Sequence, residues 1–253
     1  KRRAILGEDH LKTLRSMMGL AITLDSLDRQ SEARPLHEKA VSTYKQVYGP
    51  KHHITLLAMH NFSSHCRQMK NFERAEELLR KVVAARKEML GEENSATIRS
   101  IGNLAAVLID KEEYDEALTI LKDALSVMRL TVPEGNFNTI LLLNNITSSL
   151  MRLERFEEAA GYGSEAVATA EFVLPAGHWG AANVRSHYGN CLRALGRHSE
   201  AEVVLLDSHE AFQAALGDSH RRTRIVRDRL CKLYREWGKP EKAAAYCDPS
   251  QQR

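Results

Sequence analysis

Apolar residues recur along this chain with the spacing of an amphipathic helix, and the pattern repeats every 42 residues. Between Ile98 and Leu108 they stand at i, i+3, i+6, i+7 and i+10, which places them on one face of an α-helix. The sequence therefore predicts one such helix per repeat, about 16 residues or 24 Å long. The stripe is Ile98, Ile101, Leu104, Ala105 and Leu108, with counterparts Leu14, Met17, Leu20, Ala21 and Leu24 in an earlier repeat and Ile140, Leu143, Ile146, Thr147 and Leu150 in a later one.

A second apolar stripe follows a short polar turn in each repeat and predicts an antiparallel partner helix of similar length. It opens with an alanine that keeps the same phase in every repeat and continues, in the first repeat, with Leu36, Ala40 and Val47. A small residue also recurs in the first helix, where larger side chains would overpack a helix crossing at a cost of about 1–3 kcal/mol. The alanines are Ala33, Ala75, Ala117, Ala159, Ala201 and Ala243, and the small residues are Ala21, Ser63, Ala105, Thr147, Gly189 and Cys231.

The repeats set the fold class and the domain organisation. One helix pair cannot cover its own apolar face, so neighbouring pairs must stack into a continuous core. The predicted fold is all-α, a right-handed α-solenoid of about six stacked antiparallel helix pairs. We expect a single domain over residues 1–253, with repeats at about 11–52, 53–94, 95–136, 137–178, 179–220 and a truncated 221–253; residues 1–6 read as the tail of a preceding repeat in a longer chain.

The charge balance and the cysteines narrow the functional classes. With 36 Lys and Arg against 33 Asp and Glu, the net charge of +3 is too small to indicate a nucleic-acid-binding surface. The longest apolar run is shorter than the roughly 18–20 residues of a membrane span. Four cysteines without C-x-x-C spacing, Cys66, Cys191, Cys231 and Cys247, predict reduced and mostly buried thiols in a cytoplasmic protein.

Motifs for catalysis or metal binding are incomplete. His37-Glu38 and His209-Glu210 begin like H-E-x-x-H but lack the second histidine. Four other histidines share one linker position in different repeats, which favours a structural capping or linker role over metal binding. We therefore predict no enzyme activity, no cofactor and no metal site, and place any catalytic domain upstream of residue 1. The linker histidines are His10, His52, His178 and His220.

Two sequence features carry a family resemblance. The pattern M-x-x-L-A-x-x-L at Met17–Leu24, followed by Ala33 and Ala40, resembles the tetratricopeptide repeat (TPR) over essentially the whole chain. The 42-residue period, the linker Leu6–His10 and the pair Asn144-Asn145 are similar to the kinesin-light-chain type of that repeat. The resemblance implies a protein-binding module in which the first helices line a concave groove.

A shorter resemblance concerns the C-terminal end. The segment Leu233–Ala243 resembles the C-terminal signature of repeat regions in large bacterial Ser/Thr protein kinases, although no kinase motif is present in this chain. This resemblance implies a different role, a regulatory arm that controls a linked catalytic domain.

The groove positions implied by the TPR resemblance contain a row of amides and a basic cluster. Carboxamides can donate to and accept from the backbone of a peptide, but the same row could pack between neighbouring first helices. The basic cluster favours an acidic segment as ligand, and its alternative is a solvated end of the solenoid. The predicted binding residues are Asn61, Asn103, Asn144, Asn145, Asn190, Arg67, Arg193, Arg229, Lys232 and Arg235.

The resulting hypothesis is a protein-interaction module that binds a peptide or a partner helix, with a preference for acidic segments. We expect it to be monomeric, with no nucleic-acid or membrane partner. The alternatives are the regulatory arm of a multidomain Ser/Thr kinase or other signalling protein, and a scaffold that self-associates through its ends.

Overall fold

The computed structural model describes residue 7 and residues 10–132, 134–175 and 177–247. Within those residues the chain forms twelve α-helices and no β-strand. They are α1 (Leu11–Ser26), α2 (Gln30–Tyr48), α3 (His53–Gln68), α4 (Phe72–Leu90), α5 (Ser95–Asp110), α6 (Tyr114–Thr131), α7 (Phe137–Arg152), α8 (Phe156–Val173), α9 (Trp179–Ala194), α10 (His198–Leu216), α11 (Arg221–Glu236) and α12 (Pro240–Ala244).

Within each of two parts of the chain, consecutive helices pack against one another. The chain divides into two parts, Lys1–Glu113 and Tyr114–Arg253, which we describe separately as the N-terminal and C-terminal parts. In the N-terminal part α3 packs against both α2 and α4; in the C-terminal part α9 packs against both α8 and α10. The predicted all-α class with stacked helix pairs is confirmed. The predicted tail at residues 1–6 lies outside the described residues.

The first helix of each pair has the predicted length, whereas the second is longer in the first five pairs and has only five residues in the last. The odd-numbered helices all contain 16 residues, while α2, α4 and α10 contain 19 and α6 and α8 contain 18. Glycine ends three of the second helices by taking a positive φ, for example 89° at Gly49.

The linker histidines cap the helices that follow them, as the sequence predicts. His178 Nδ1 accepts a hydrogen bond from the backbone N–H of Gly180 at 3.0 Å, which satisfies one of the free donors of α9. Asn94 and Asn136 do the same through their side-chain oxygens. The structural role is thus confirmed for all four histidines, His10, His52, His178 and His220.

Each first helix ends in the same hydrogen-bonded turn. In the first repeat Asp28 has φ of 57°, and the N–H of Arg29 bonds to the carbonyl of Leu24 at 2.9 Å. This is the Schellman pattern, which satisfies carbonyls that have no partner inside the helix. The left-handed residue recurs as Lys70, Glu112, Glu154, Gly196 and Gly238.

The core follows the apolar stripes, with two exceptions. All six phase alanines are buried, and so is the stripe from Ile98 to Leu108. Leu20 and Val47 were expected in the core but are 52% and 54% exposed. Leu20 lies at the edge of its apolar stripe. Val47 lies in the last turn of α2.

The structure corrects the prediction that all four cysteines are reduced. Cys231 in α11 and Cys247 after α12 form a disulfide with Cα atoms 5.0 Å apart, while Cys66 and Cys191 are free and buried. The chain reverses direction between α11 and α12, and this brings together two cysteines 16 residues apart. C-x-x-C spacing does not detect such a pair. The predicted cytoplasmic location rested partly on reduced thiols, and the disulfide removes that support.

Candidate functional site

In the N-terminal part, the predicted binding residues lie on α3 and α5. Asn61 and Asn103 are half-buried, and Asn103 contacts the neighbouring first helix: its Nδ2 donates to His60 Nε2 at 3.0 Å. Arg67 at the exposed end of α3 pairs with Asp110 of α5, with 2.6 Å between Nε and Oδ2. Two of the three predicted residues here therefore connect neighbouring first helices.

His60 is neutral in this arrangement. Burial lowers its pKa from 6.5 to about 4, and the nearby Arg86 and Arg99 add to the effect. Because Nε2 accepts from Asn103, the proton of the neutral ring lies on Nδ1. That atom is buried and has no hydrogen-bond partner.

In the C-terminal part, the amide pair of α7 is half-buried and one of its atoms is unsatisfied. The side-chain oxygen Oδ1 of Asn144 is buried without a partner, whereas Asn145 is engaged in an interaction. Ser148 of α7 contacts α9, the first helix of the following repeat: its Oγ lies 3.1 Å from His187 Nδ1. Burial, with a smaller effect of Arg229, lowers the pKa of His187 from 6.5 to about 3, so this ring is also neutral.

The predicted basic cluster is partly neutralised by the protein itself. Arg193 donates to Asn190 Oδ1 at 3.1 Å and to both carboxylate oxygens of Glu236 at 2.5 and 2.6 Å. Arg229 is half-buried and donates to Ser186 Oγ, and burial lowers its pKa to about 10. Lys232 and Arg235 are exposed on α11. Of the predicted basic cluster in the C-terminal part, Lys232 and Arg235 are thus the two members whose side chains are exposed.

The contacts show a regularity that sequence reasoning missed. Four of them join a residue to one 43 positions later, on the next first helix: His60 to Asn103, Arg67 to Asp110, Ser186 to Arg229 and Arg193 to Glu236. A search for polar pairs separated by 43 residues, one more than the repeat length, could have found the partners His60, Asp110, Ser186 and Glu236. His60 and Asn144, each of which has one buried atom without a hydrogen-bond partner, also occupy one repeat position, two repeats apart.

Comparison with protein families identifies the class. The repeated helix pairs with small residues at their crossings define a helical repeat protein, and tetratricopeptide repeat profiles match residues 32–88, 97–135 and 180–246. The chain belongs to the tetratricopeptide repeat family. No curated protein matches the sequence significantly.

Solved structures share the fold at low sequence identity. The nearly identical TPR-like repeats of a kinesin-light-chain-like protein from Podosopora anserina are 20% identical with a TM-score of 0.66, over 82% of this chain and 98% of theirs. BtubC from P. vanneervenii is 15% identical with a TM-score of 0.67, over 83% of each chain. PlcR from Bacillus thuringiensis, in complex with the peptide PapR7 and DNA, is 14% identical with a TM-score of 0.61, over 81% of this chain and 71% of its own.

None of the helices that the structure describes is long and apolar enough to cross a lipid bilayer.

Proposed function

We propose that this protein is a non-catalytic protein-interaction module whose first helices bind a peptide or a partner helix. The observation that carries the proposal is the row of half-buried amides on those helices, with Asn61 and Asn103 in the N-terminal part and Asn144 and Asn145 in the C-terminal part. A carboxamide both donates and accepts hydrogen bonds, so it can pair with the N–H and C=O groups of a bound backbone.

The partial burial of these amides suits a ligand of variable sequence. Asn61, Asn103 and Asn145 are half-buried, so their side chains are held in place while part of their surface stays accessible. A carboxamide recognises main-chain groups whatever side chains the ligand carries. PlcR, which shares the fold, is known in complex with a peptide, and this supports a peptide as the class of ligand.

A preference for acidic segments rests on α11. Lys232 and Arg235 are exposed there, and cationic side chains form charge-assisted hydrogen bonds with carboxylates. Arg193 contributes less to this preference because its side chain is mostly buried and forms an ion pair with Glu236. We therefore propose protein partners, with no cofactor and no nucleic-acid or membrane partner.

The proposal is tested with an array of short synthetic peptides of acidic, neutral and basic composition. We expect saturable binding of a subset by the wild-type chain. For peptides that bind, Asn103→Ala combined with Asn145→Ala should weaken affinity about tenfold, because it removes two hydrogen bonds of about 0.5–1.5 kcal/mol each. The melting temperature should fall slightly, because Asn103→Ala also removes the donor to His60 Nε2. Gln213→Ala, an exposed amide on the second helix α10, is the matched control.

Charge reversal tests the preference for acidic peptides separately from peptide binding itself. Lys232→Glu with Arg235→Glu should selectively weaken acidic peptides, whereas Arg34→Glu on α2 should not. Equal weakening of all peptides would contradict the acidic preference. If no peptide binds the wild-type chain, or if the double Asn variant binds like the wild type, the assignment of the first helices as the binding surface is wrong.

A further inference from the structure

Three side chains of the N-terminal part form a buried cluster that the proposed function does not use. Asp25 at the end of α1 accepts from His37 of α2, with Nε2 and Oδ2 2.8 Å apart, and from His65 of α3, with Nδ1 and Oδ1 2.6 Å apart. Their exposed fractions are 9%, 1% and 2%. One potential ligand atom from each residue lies within 4.8 Å of the others.

We infer that Asp25, His37 and His65 form a binding site for a divalent transition-metal ion, of which Zn²⁺ suits the two imidazoles and one carboxylate best. This site is independent of the proposed peptide-binding surface.

The repeat itself argues that the cluster is not ordinary core packing. The counterparts of His37 in other repeats include Leu79, Leu121 and Leu205, and those of His65 include Val107 and Leu233, all buried. In later repeats the remaining counterparts are small residues, namely Gly163, Cys247, Ser149 and Cys191. There the fold therefore fills these positions with aliphatic or small side chains. Placing two imidazoles and a carboxylate there has a desolvation cost, which a metal ion would offset.

The electrostatics of the cluster favour a cation. The hydrogen bonds that reach the carboxylate of Asp25 come from imidazoles rather than from a Lys or Arg side chain. The carboxylate is buried, so its charge is poorly solvated, and a bound cation would compensate it.

Metal binding requires the ligand atoms to shift, because they are separated by up to 4.8 Å. Ligand atoms around tetrahedral zinc are about 3.3 Å apart, given bond lengths near 2.0–2.1 Å. The two hydrogen-bonded pairs must therefore open by about 0.5–0.7 Å, and the proton of each coordinating nitrogen must move to the other nitrogen of its ring. Phe62 packs against both imidazoles, with ring centroids 5.8 and 6.0 Å away, and limits their rotation.

An adjacent cavity provides access and space for a fourth ligand. It has a volume of about 430 Å³ and is lined by His65, Cys66 and Met69 among others. The two arginines at its rim are paired with carboxylates, Arg34 with Glu38 and Arg74 with Glu77, so they do not present bare positive charge to an entering cation. A water molecule from this cavity can complete a three-residue site.

The test uses the full chain, freed of metal by chelation and titrated with ZnCl₂ by calorimetry. We expect one equivalent to bind and the melting temperature to rise with the Zn²⁺ concentration. Co²⁺ in place of Zn²⁺ should give the visible absorption of a tetrahedral site. His37→Gln should weaken Zn²⁺ binding at least tenfold.

A second site variant is designed to fold without the three ligand side chains. Asp25→Ile, His37→Leu and His65→Val together introduce residues that other repeats carry at these positions, namely Ile109, Leu121 and Val107. This triple variant should keep its helical content and lose the bound equivalent, while His53→Gln, at an exposed histidine of α3, should bind like the wild type. The inference is wrong if the wild type shows no stoichiometric binding or if either site variant retains wild-type affinity.

Discussion

At the scale of single residues, the crossings between helices decide which side chains are tolerated. A Cβ atom built on Gly189 of α9 would lie 2.6 Å from Cγ of Leu205, which is fully buried in α10. Gly161 of α8 also lies inside a helix, but a Cβ there would meet nothing within 4 Å. Glycine is thus required at position 189 and merely tolerated at position 161.

We predict that Gly189→Ala and Gly161→Ala change the free energy of unfolding in opposite directions. The first should destabilise by about 1 kcal/mol or more because overpacking outweighs the helix propensity of alanine. The second should stabilise by about 0.5–1 kcal/mol, since only the propensity changes. Denaturant unfolding of both variants measures the difference. Stabilisation by both changes would show that Leu205 can move aside.

A second prediction concerns the half-buried histidines His60 and His187. Their pKa values are lowered in the folded state to about 4 and about 3, from 6.5. Between those values the unfolded chain binds more protons than the folded one, so stability falls as the pH falls below about 6.5.

Replacing His187 by Gln should flatten this dependence by up to about 1.4 kcal/mol per pH unit between pH 6 and 4. Urea unfolding of wild type and His187→Gln at several pH values is the measurement. Parallel curves for the two proteins would mean that His187 is protonated in the folded state as readily as in the unfolded chain.

At the scale of helices, ends were more predictable than lengths and lateral contacts. The caps depend on side chains one to three residues from the helix start, so they are visible in a short stretch of sequence. The Schellman turns are equally local, although Asp28 and Lys70 adopt the left-handed conformation without the glycine that usually marks it. The extra two or three residues of α2, α4, α6, α8 and α10 were not predicted, although glycine follows the last residue of three of these helices.

The disulfide provides a prediction for the shortest helix. At five residues, α12 is too short to be stable alone, and Cys247 fixes the segment that follows it to α11. Reduction should lower the stability of the C-terminal part by about 2–4 kcal/mol, mainly because it frees the unfolded chain.

Thermal unfolding with and without reductant measures this effect. Cys247→Ser should remove the response to reductant, whereas Cys66→Ser, which replaces a free thiol, should keep it. Alkylation of the denatured, unreduced chain should modify two thiols, Cys66 and Cys191; four modified thiols would contradict the disulfide.

At the scale of the whole molecule, stability in a repeat protein comes mainly from contacts between neighbouring repeats. Here polar pairs such as Arg67–Asp110 and Arg193–Glu236 accompany the apolar core between successive first helices. These pairs are partly exposed, so we expect them to fix the alignment of helices more than to add stability.

We predict that the chain is a monomer. Light scattering should give a mass near 28.5 kDa at every protein concentration. Growth of the mass with concentration would instead favour the self-associating scaffold as the function, and dilution series at two salt concentrations would show whether charge drives it.

The sequence by itself determined the helices, their pairing, the caps and the small residues at the crossings. Those features depend on residues close in the chain or on a strict 42-residue register, and both can be read from a linear pattern. Only the tertiary structure decided that Asp25, His37 and His65 meet, that Asn103 forms a hydrogen bond with His60, and that Cys231 pairs with Cys247. These contacts depend on how far each helix is rotated and shifted against its neighbour, and packing across the core fixes those quantities rather than local periodicity.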